Sequence, residues 1–249
     1  MRATATIIPS EAAAARALPT PREWWGAVAV SLALGLALIV LALPRVSLEG
    51  YLLTALPGLD ALEAGQTPED GKAAVTLAQD LSAMARKSGA PQAYALAARA
   101  WIAVAKRSLA SAGPVGKDVA EALAQAQAAQ AEGLARAPAD QYGWQRLAYT
   151  LSQRNDWITA AHAWGMAMRT GPFEPSLMGV KFRSGLALWR YMDLDERARF
   201  SWLVETFLQT QRQEMMAQVR RFDAIATVRQ ALAARPAAAA TFEHALTEP

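Results

Sequence analysis

Apolar positions along this chain follow two patterns. Trp24 to Leu43, WWGAVAVSLALGLALIVLAL, is an unbroken apolar run of 20 residues without a charge. As a helix it is about 30 Å long, which matches the hydrocarbon core of a bilayer. Trp24 and Trp25 mark one edge, where indoles favour the headgroup layer, and Pro44 and Arg45 close the other. From about residue 67 onward the apolar positions instead recur at helical spacing between short breaks. Thr67-Pro68-Glu69-Asp70 reads as a helix start, followed by Ala74, Leu77, Leu81 and Met84 on one face and a stop at Ser88-Gly89-Ala90-Pro91. A second helix spans about 92–111, with Tyr94, Ala98, Trp101, Ile102, Ala105 and Leu109 on one stripe, and ends at Gly113-Pro114. Further helices are predicted at about 117–137, 141–153, 156–170 and 175–192. Asp193-Leu194-Asp195-Glu196 has the form of a capping box opening a helix to about 209, and a last helix covers about 212–234.

No stretch alternates with period two between turn residues, so the expected fold class is all-α. It consists of one N-terminal transmembrane helix followed by an α-solenoid-like stack of antiparallel helix pairs. The expected division is a disordered tail over 1–22, the transmembrane helix over 23–44, a juxtamembrane connector over 45–66, the helical domain over 67–235 and a C-terminal tail over 236–249. In the connector, Leu48, Tyr51, Leu52, Ala55 and Leu56 form a short apolar stripe ended by Pro57-Gly58. It suits either the membrane surface or ordinary packing.

Charge sets the topology. Arg2, Arg16 and Arg22 precede the apolar run, whereas Arg45 stands alone beyond it until Lys72. The positive-inside rule puts the N-terminus in the cytoplasm and the large domain outside. In a Gram-negative bacterium this is an inner-membrane protein with a periplasmic domain. A cleaved signal peptide would have a shorter apolar core followed by a small-residue cleavage site, and neither is seen. Ala27, Ser31 and Gly35 form a small-xxx-small stripe, through which another membrane helix of an envelope protein can approach closely.

The residues between 141 and 174 carry a finer pattern. Trp144 and Leu147 are followed by Ala148, then Ala160, Trp164, Ala167 and Pro172. This spacing resembles the tetratricopeptide repeat, a 34-residue helix–turn–helix in which small residues let the two helices cross and large ones fill the space beside them. Leu151 stands where the repeat usually has Tyr. One repeat earlier only Ala126 and Pro138 keep the register, so the flanking pairs are degenerate. Arg146, Tyr149, Gln153, Trp157 and Arg169 are polar or aromatic positions in or near this repeat, and the resemblance implies a concave groove lined by first-helix residues, with Gln145, Tyr149 and Ser152 as its candidates. Such grooves bind peptides or proteins.

Little in the composition suggests catalysis. There are no cysteines and two histidines, His162 and His244, and no phosphate-binding, nucleophile-elbow or zinc-binding motif. The acids at 69–70 and 193–196 stand where helix capping accounts for them. No catalytic residue, cofactor, metal or small-molecule substrate is therefore expected, and a net charge of +3 gives no reason to expect nucleic acid. Arg212, Arg220, Arg221, Arg229 and Arg235 face only Glu214 and Asp223 over the last predicted helix, with Phe222, Ile225 and Val228 as its apolar stripe. This basic face suits an acidic partner or lipid headgroups, or is the solvated outer face of a terminal repeat.

The expected function is that of a membrane-anchored protein–protein interaction scaffold. The stretches PADQYGWQRLAY, RTGPFEPSLM and GLALWRYMDLDERARF are similar to those of helical-repeat proteins encoded beside bacterial exopolysaccharide synthesis and export systems. That resemblance implies a role in polysaccharide synthesis or export. The layout is also similar to periplasmic tetratricopeptide chaperones of the Sec translocon and to cytochrome c maturation factors. An enzyme acting on glycans through carboxylates hidden in a groove is the remaining alternative.

Overall fold

A computed structural model describes residues 21–66, 71–112 and 117–247. Eleven α-helices and one 3-10 turn, with no strand, make up the described residues. They are α1 (Pro21–Glu63), α2 (Lys72–Ser88), α3 (Pro91–Ala112), α4 (Lys117–Arg136), α5 (Gln141–Gln153), α6 (Trp157–Thr170), α7 (Pro175–Leu188), α8 (Leu194–Thr210), α9 (Arg212–Arg221), α10 (Ile225–Leu232) and α11 (Pro236–Thr247). The 3-10 turn is Trp189–Tyr191. The chain divides into two units that meet between Ser47 and Leu48, with α1 contributing to both.

In the first unit, Trp24–Ala42 has a mean hydropathy of 2.4 and is nowhere buried within the chain. It is the one described helix long and apolar enough to cross a membrane. Leu32, Leu36, Ile39 and Leu41 all lie exposed, an arrangement unfavourable in water and natural in hydrocarbon. Of the small-residue stripe, Ser31 and Gly35 are described; the side chain of Ala27, the tail before residue 21, and the expected helix start at Thr67–Asp70 and stop at Gly113-Pro114 lie outside the described residues.

The second unit is built from helices packed on their neighbours in sequence, α2 on α3, α3 on α4, α4 on α5 and α5 on α6. Alanine makes this possible. Ala74, Ala78 and Ala85 of α2, Ala93, Ala97 and Ala100 of α3, and Ala122 and Ala126 of α4 are buried at helical spacing, so the helix axes can approach closely. Ala55, Leu59 and Leu62 at the end of α1 join this cluster. The connector is thus a packed helix. Pro57 does not end it: the proline sits on the exposed side of α1, next to solvent that can satisfy the carbonyl it leaves unpaired.

Beyond α6 the simple pairing gives way to a bundle centred on α8, which touches α6, α7, α9, α10 and α11. Phe200 and Phe207 of α8 meet Phe182 of α7 at ring-centroid distances of 5.9 and 5.5 Å, and Trp164 of α6 lies 6.0 Å from Phe200. All four are fully buried. Gly185 is what admits Phe200: a Cβ there would fall 2.5 Å from Phe200 Cε2 and 3.2 Å from Trp164 Cζ2.

Local signals set the helix ends. Asp140 accepts from Tyr142 N, Asp156 from Thr159 N, and Asp193 and Glu196 form the expected capping box. Gly89 takes the left-handed conformation, φ 65°, at the end of α2. Three expectations need correction. The helix expected over 175–192 stops at Leu188 and tightens into the 3-10 turn. The single helix expected over 212–234 is two, separated at Phe222-Asp223-Ala224, where Asp223 adopts φ 49° and Ala224 N donates to Val219 O. Aspartate tolerates this conformation better than most residues. Residues 236–247 are no tail: Pro236 opens α11, and Ala238, Phe242 and Ala245 complete the core.

Gly185→Ala is therefore expected to destabilise the helical domain by about 1–3 kcal/mol through overpacking against rings that have nowhere to move. Thermal unfolding of the full chain in detergent, followed by far-ultraviolet circular dichroism, checks this as a lowered Tm.

Candidate functional site

A groove of about 1190 Å³ opens between the end of α1 and helices α3, α5 and α7. Its location follows from α5, which separates the two apolar clusters. Ala148 and Leu151 of α5 point into the bundle around α8, whereas Tyr149 packs against the alanine-rich cluster. Gln130 Nε2 on α4 donates to Thr150 Oγ1 at 3.2 Å, pinning the two halves together through a buried polar contact.

The groove is strongly basic. Arg99, Lys106 and Arg107 of α3 line one side, Arg146 of α5 the base and Arg183 of α7 the other side, with Glu63 the one lining acid among the described residues. Arg99 and Lys106 are two turns apart on one face of α3, with Ala103 between them. Arg99 Nε donates to Glu63 Oε1 at 2.9 Å, and Arg99 Nη2 to Glu63 Oε2 at 2.7 Å. This bidentate contact holds Glu63 below the ordinary carboxylate range. Lys106 Nζ lies 5.4 Å above the Tyr149 ring. Arg146 reaches Asp140 Oδ2 only at 3.4 Å, and its buried Nε has no hydrogen-bond partner among the described residues. Burial pulls the Arg146 guanidinium down from its usual range; Asp140 opposes that and the nearby Arg99 adds to it.

A second cavity, of about 1010 Å³, lies against α2, α3 and α4, and there Asp118 and Glu121 offset Lys72, Arg86 and Arg107. The contrast makes the first groove the stronger candidate, because only there does one sign of charge dominate.

Of the three first-helix candidates, two line this groove. Gln145 is buried and donates from Nε2 to Ser184 Oγ at 2.8 Å, its Oε1 having no partner among the described residues, and Tyr149 is half-buried beneath Lys106. Ser152 is not among the lining residues; its hydroxyl donates to Tyr149 O at 2.7 Å. Ala148, Ala160, Trp164 and Ala167 are buried, Trp144 and Leu147 pack against the core, and Pro172 lies between α6 and α7. Trp144 Nε1 donates to Pro138 O and Trp164 Nε1 to Lys181 O.

The basic C-terminal face is not one helical stripe. Arg220 and Arg221 end α9, Arg221 lies over the exposed Phe222 ring at 5.5 Å, and Arg229 of α10 is paired with Glu243 of α11 at 2.8 Å. His162 Nδ1 lies 2.6 Å from Glu196 Oε1, and with Asp193 the ligand atoms of the three residues fall within 4.8 Å of one another. One oxygen of each carboxylate already accepts a backbone amide of the capping box, at a helix N-terminus whose dipole opposes a cation.

Arg99, Lys106, Arg183 and Glu63 escaped the sequence reading, because three separate helices bring them together. Lys181 was also missed although it was legible, standing among Met178, Phe182 and Gly185 on the buried face of α7. It is 1% exposed. Its ammonium donates to Gln141 Oε1 at 3.0 Å and to Gly171 O, and the Gln141 amide packs where a side chain on Gly171 would lie.

Comparison with protein families, curated proteins and solved structures returned no match.

Burial lowers the Lys181 pKa from 10.5 to about 8. The folded state therefore releases this proton before the unfolded chain does, and Lys181 adds stability as pH rises from about 8 towards 10.5. The denaturant midpoint of the unsubstituted chain should thus gain on that of Lys181→Met between pH 7.5 and about 10. Equilibrium unfolding at a series of pH values measures the difference, in which contributions from other titrating groups cancel.

Proposed function

We propose that this chain is a single-pass, membrane-anchored protein–protein interaction scaffold whose helical domain faces the periplasm of a bacterial inner membrane. Its groove beside Gln145 and Tyr149 takes a segment of another envelope protein. The observation that carries this reading is the groove itself, which is lined by first-helix residues of the best repeat and formed by helices that are distant in sequence. Protein-binding grooves need this kind of mixed lining, with apolar contact area and charges to fix the register of the partner. Leu62, Ile102, Leu177 and Val180 supply the first, and the five cationic side chains the second.

The exposed apolar run Trp24–Ala42 supports the anchor, and the arginines at 2, 16 and 22 support a cytoplasmic N-terminus. The link to polysaccharide synthesis or export rests on the resemblance of residues 138–149, 169–178 and 185–200 to helical-repeat proteins encoded beside such systems.

A photo-crosslinking amino acid placed at Tyr149 in living cells should give one discrete higher-mass adduct, and the same group at exposed Gln213 of α9, away from the groove, should not. A ladder of heterogeneous adducts would instead mark a general chaperone, and identical patterns at both positions would remove the groove as the docking site. Alkaline phosphatase fused after the last residue is expected to be active, and inactivity would reverse the topology.

A further inference from the structure

Resting on the reading of this groove as a docking site, we infer that its occupant is an acidic peptide segment, with carboxylates spaced between apolar side chains, held by Lys106, Arg146 and Arg183. Arg99 is already neutralised by Glu63 and Asp60, at 2.7 and 3.4 Å. Lys106 and Arg183 are exposed and make no ion pair among the described residues. Arg146 lines the base with its side chain 23% exposed, and its ion pair among the described residues is one long contact to Asp140 at 3.4 Å. A partly desolvated guanidinium held by one long ion-pair contact gains from a second acceptor, and a carboxylate is the acceptor that best matches its planar fork.

The remaining lining distinguishes a peptide from an acidic glycan. Sugar rings favour open aromatic faces, and the one aromatic ring lining the groove among the described residues, Tyr149, is covered by Lys106. Aliphatic side chains are present instead: Leu62 from α1, Ile102 from α3, and Leu177 and Val180 from α7. These suit the leucine- or valine-sized side chains of a peptide. Lys106 and Arg183 line the groove from different helices, α3 and α7, so acids at separate positions of a bound segment can each meet one of them.

The test uses the full chain in nanodiscs of neutral phosphatidylcholine, with fluorescence anisotropy as the readout. The probes are a labelled peptide of about fifteen residues built from Glu-Leu-Ala repeats, the same peptide with Gln or with Lys in place of Glu, and an oligogalacturonate. The Glu peptide should bind at least about tenfold more tightly than the Gln and Lys peptides, and its binding should weaken as salt rises from about 0.05 to 0.5 M. The double variant K106E/R183E should weaken it by about tenfold or more. Both positions are exposed, so the variant should keep the Tm of the unsubstituted chain; if it does not, K106Q/R183Q serves, with a smaller loss in the same direction. Equal binding of the Glu and Gln peptides, indifference to the double variant, or absence of binding by every probe overturns the inference. Tighter binding of oligogalacturonate overturns it in favour of an acidic glycan. If Tyr149 still crosslinks to a discrete protein while these results fail, the docking site stands and only its acidic specificity is lost.

Discussion

Helices whose buried faces are largely alanine and glycine gain little from packing unless their backbones come close together. This constraint shapes the whole helical domain. In α2, α3 and α4 it is met by alanines at helical spacing, which leave room for the next helix and turn neighbouring segments into stacked pairs. In the second half Gly185 meets it beside large rings, where the missing side chain lets Phe200 pack against Trp164 and Phe182. The four rings gathered there hold α6, α7 and α8 together, and α9, α10 and α11 close over α8. Dispersion and burial of large rings thus do in one half what close backbone approach does in the other.

The groove follows from the meeting of these two ways of packing. Helix α5 belongs to both, with Ala148 in one cluster and Tyr149 against the other. On another side of α5, α3, α7 and the end of α1 leave a cavity. The polar residues at the junction carry its cost. Gln130, Gln145 and Arg146 each keep a buried polar atom without a partner among the described residues. Buried unpaired groups are uncommon in folded proteins, and these three lie on α4 and α5, where the two clusters meet.

Lys181 shows a different use of buried polarity. Its ammonium joins the start of α5, through Gln141, to the end of α6, through Gly171, while its backbone carbonyl accepts from Trp164. One residue thereby ties the three consecutive helices α5, α6 and α7 together. The desolvation of that charge is a cost the fold carries at neutral pH, offset by a fixed geometry at the turn around Pro172.

Much of this protein could be read from its residues alone. The apolar run at 24–43, the helix starts at Asp140, Asp156 and Asp193, the stop at Gly89 and the crossing alanines at 148 and 160 are local signals, set by propensity, capping and period. They determine which segments are helical and which faces are apolar, because those preferences act within a few residues of the chain. The break at Asp223, the burial of α11 and the continuation of α1 through Pro57 were decided by tertiary packing. Each depends on what a distant helix offers: a core for Phe242, a neighbour for Leu59 and Leu62. The basic groove is of the same kind. No spacing along the chain links Glu63, Arg99, Arg146 and Arg183, and their charges come to act on one volume only when four helices converge.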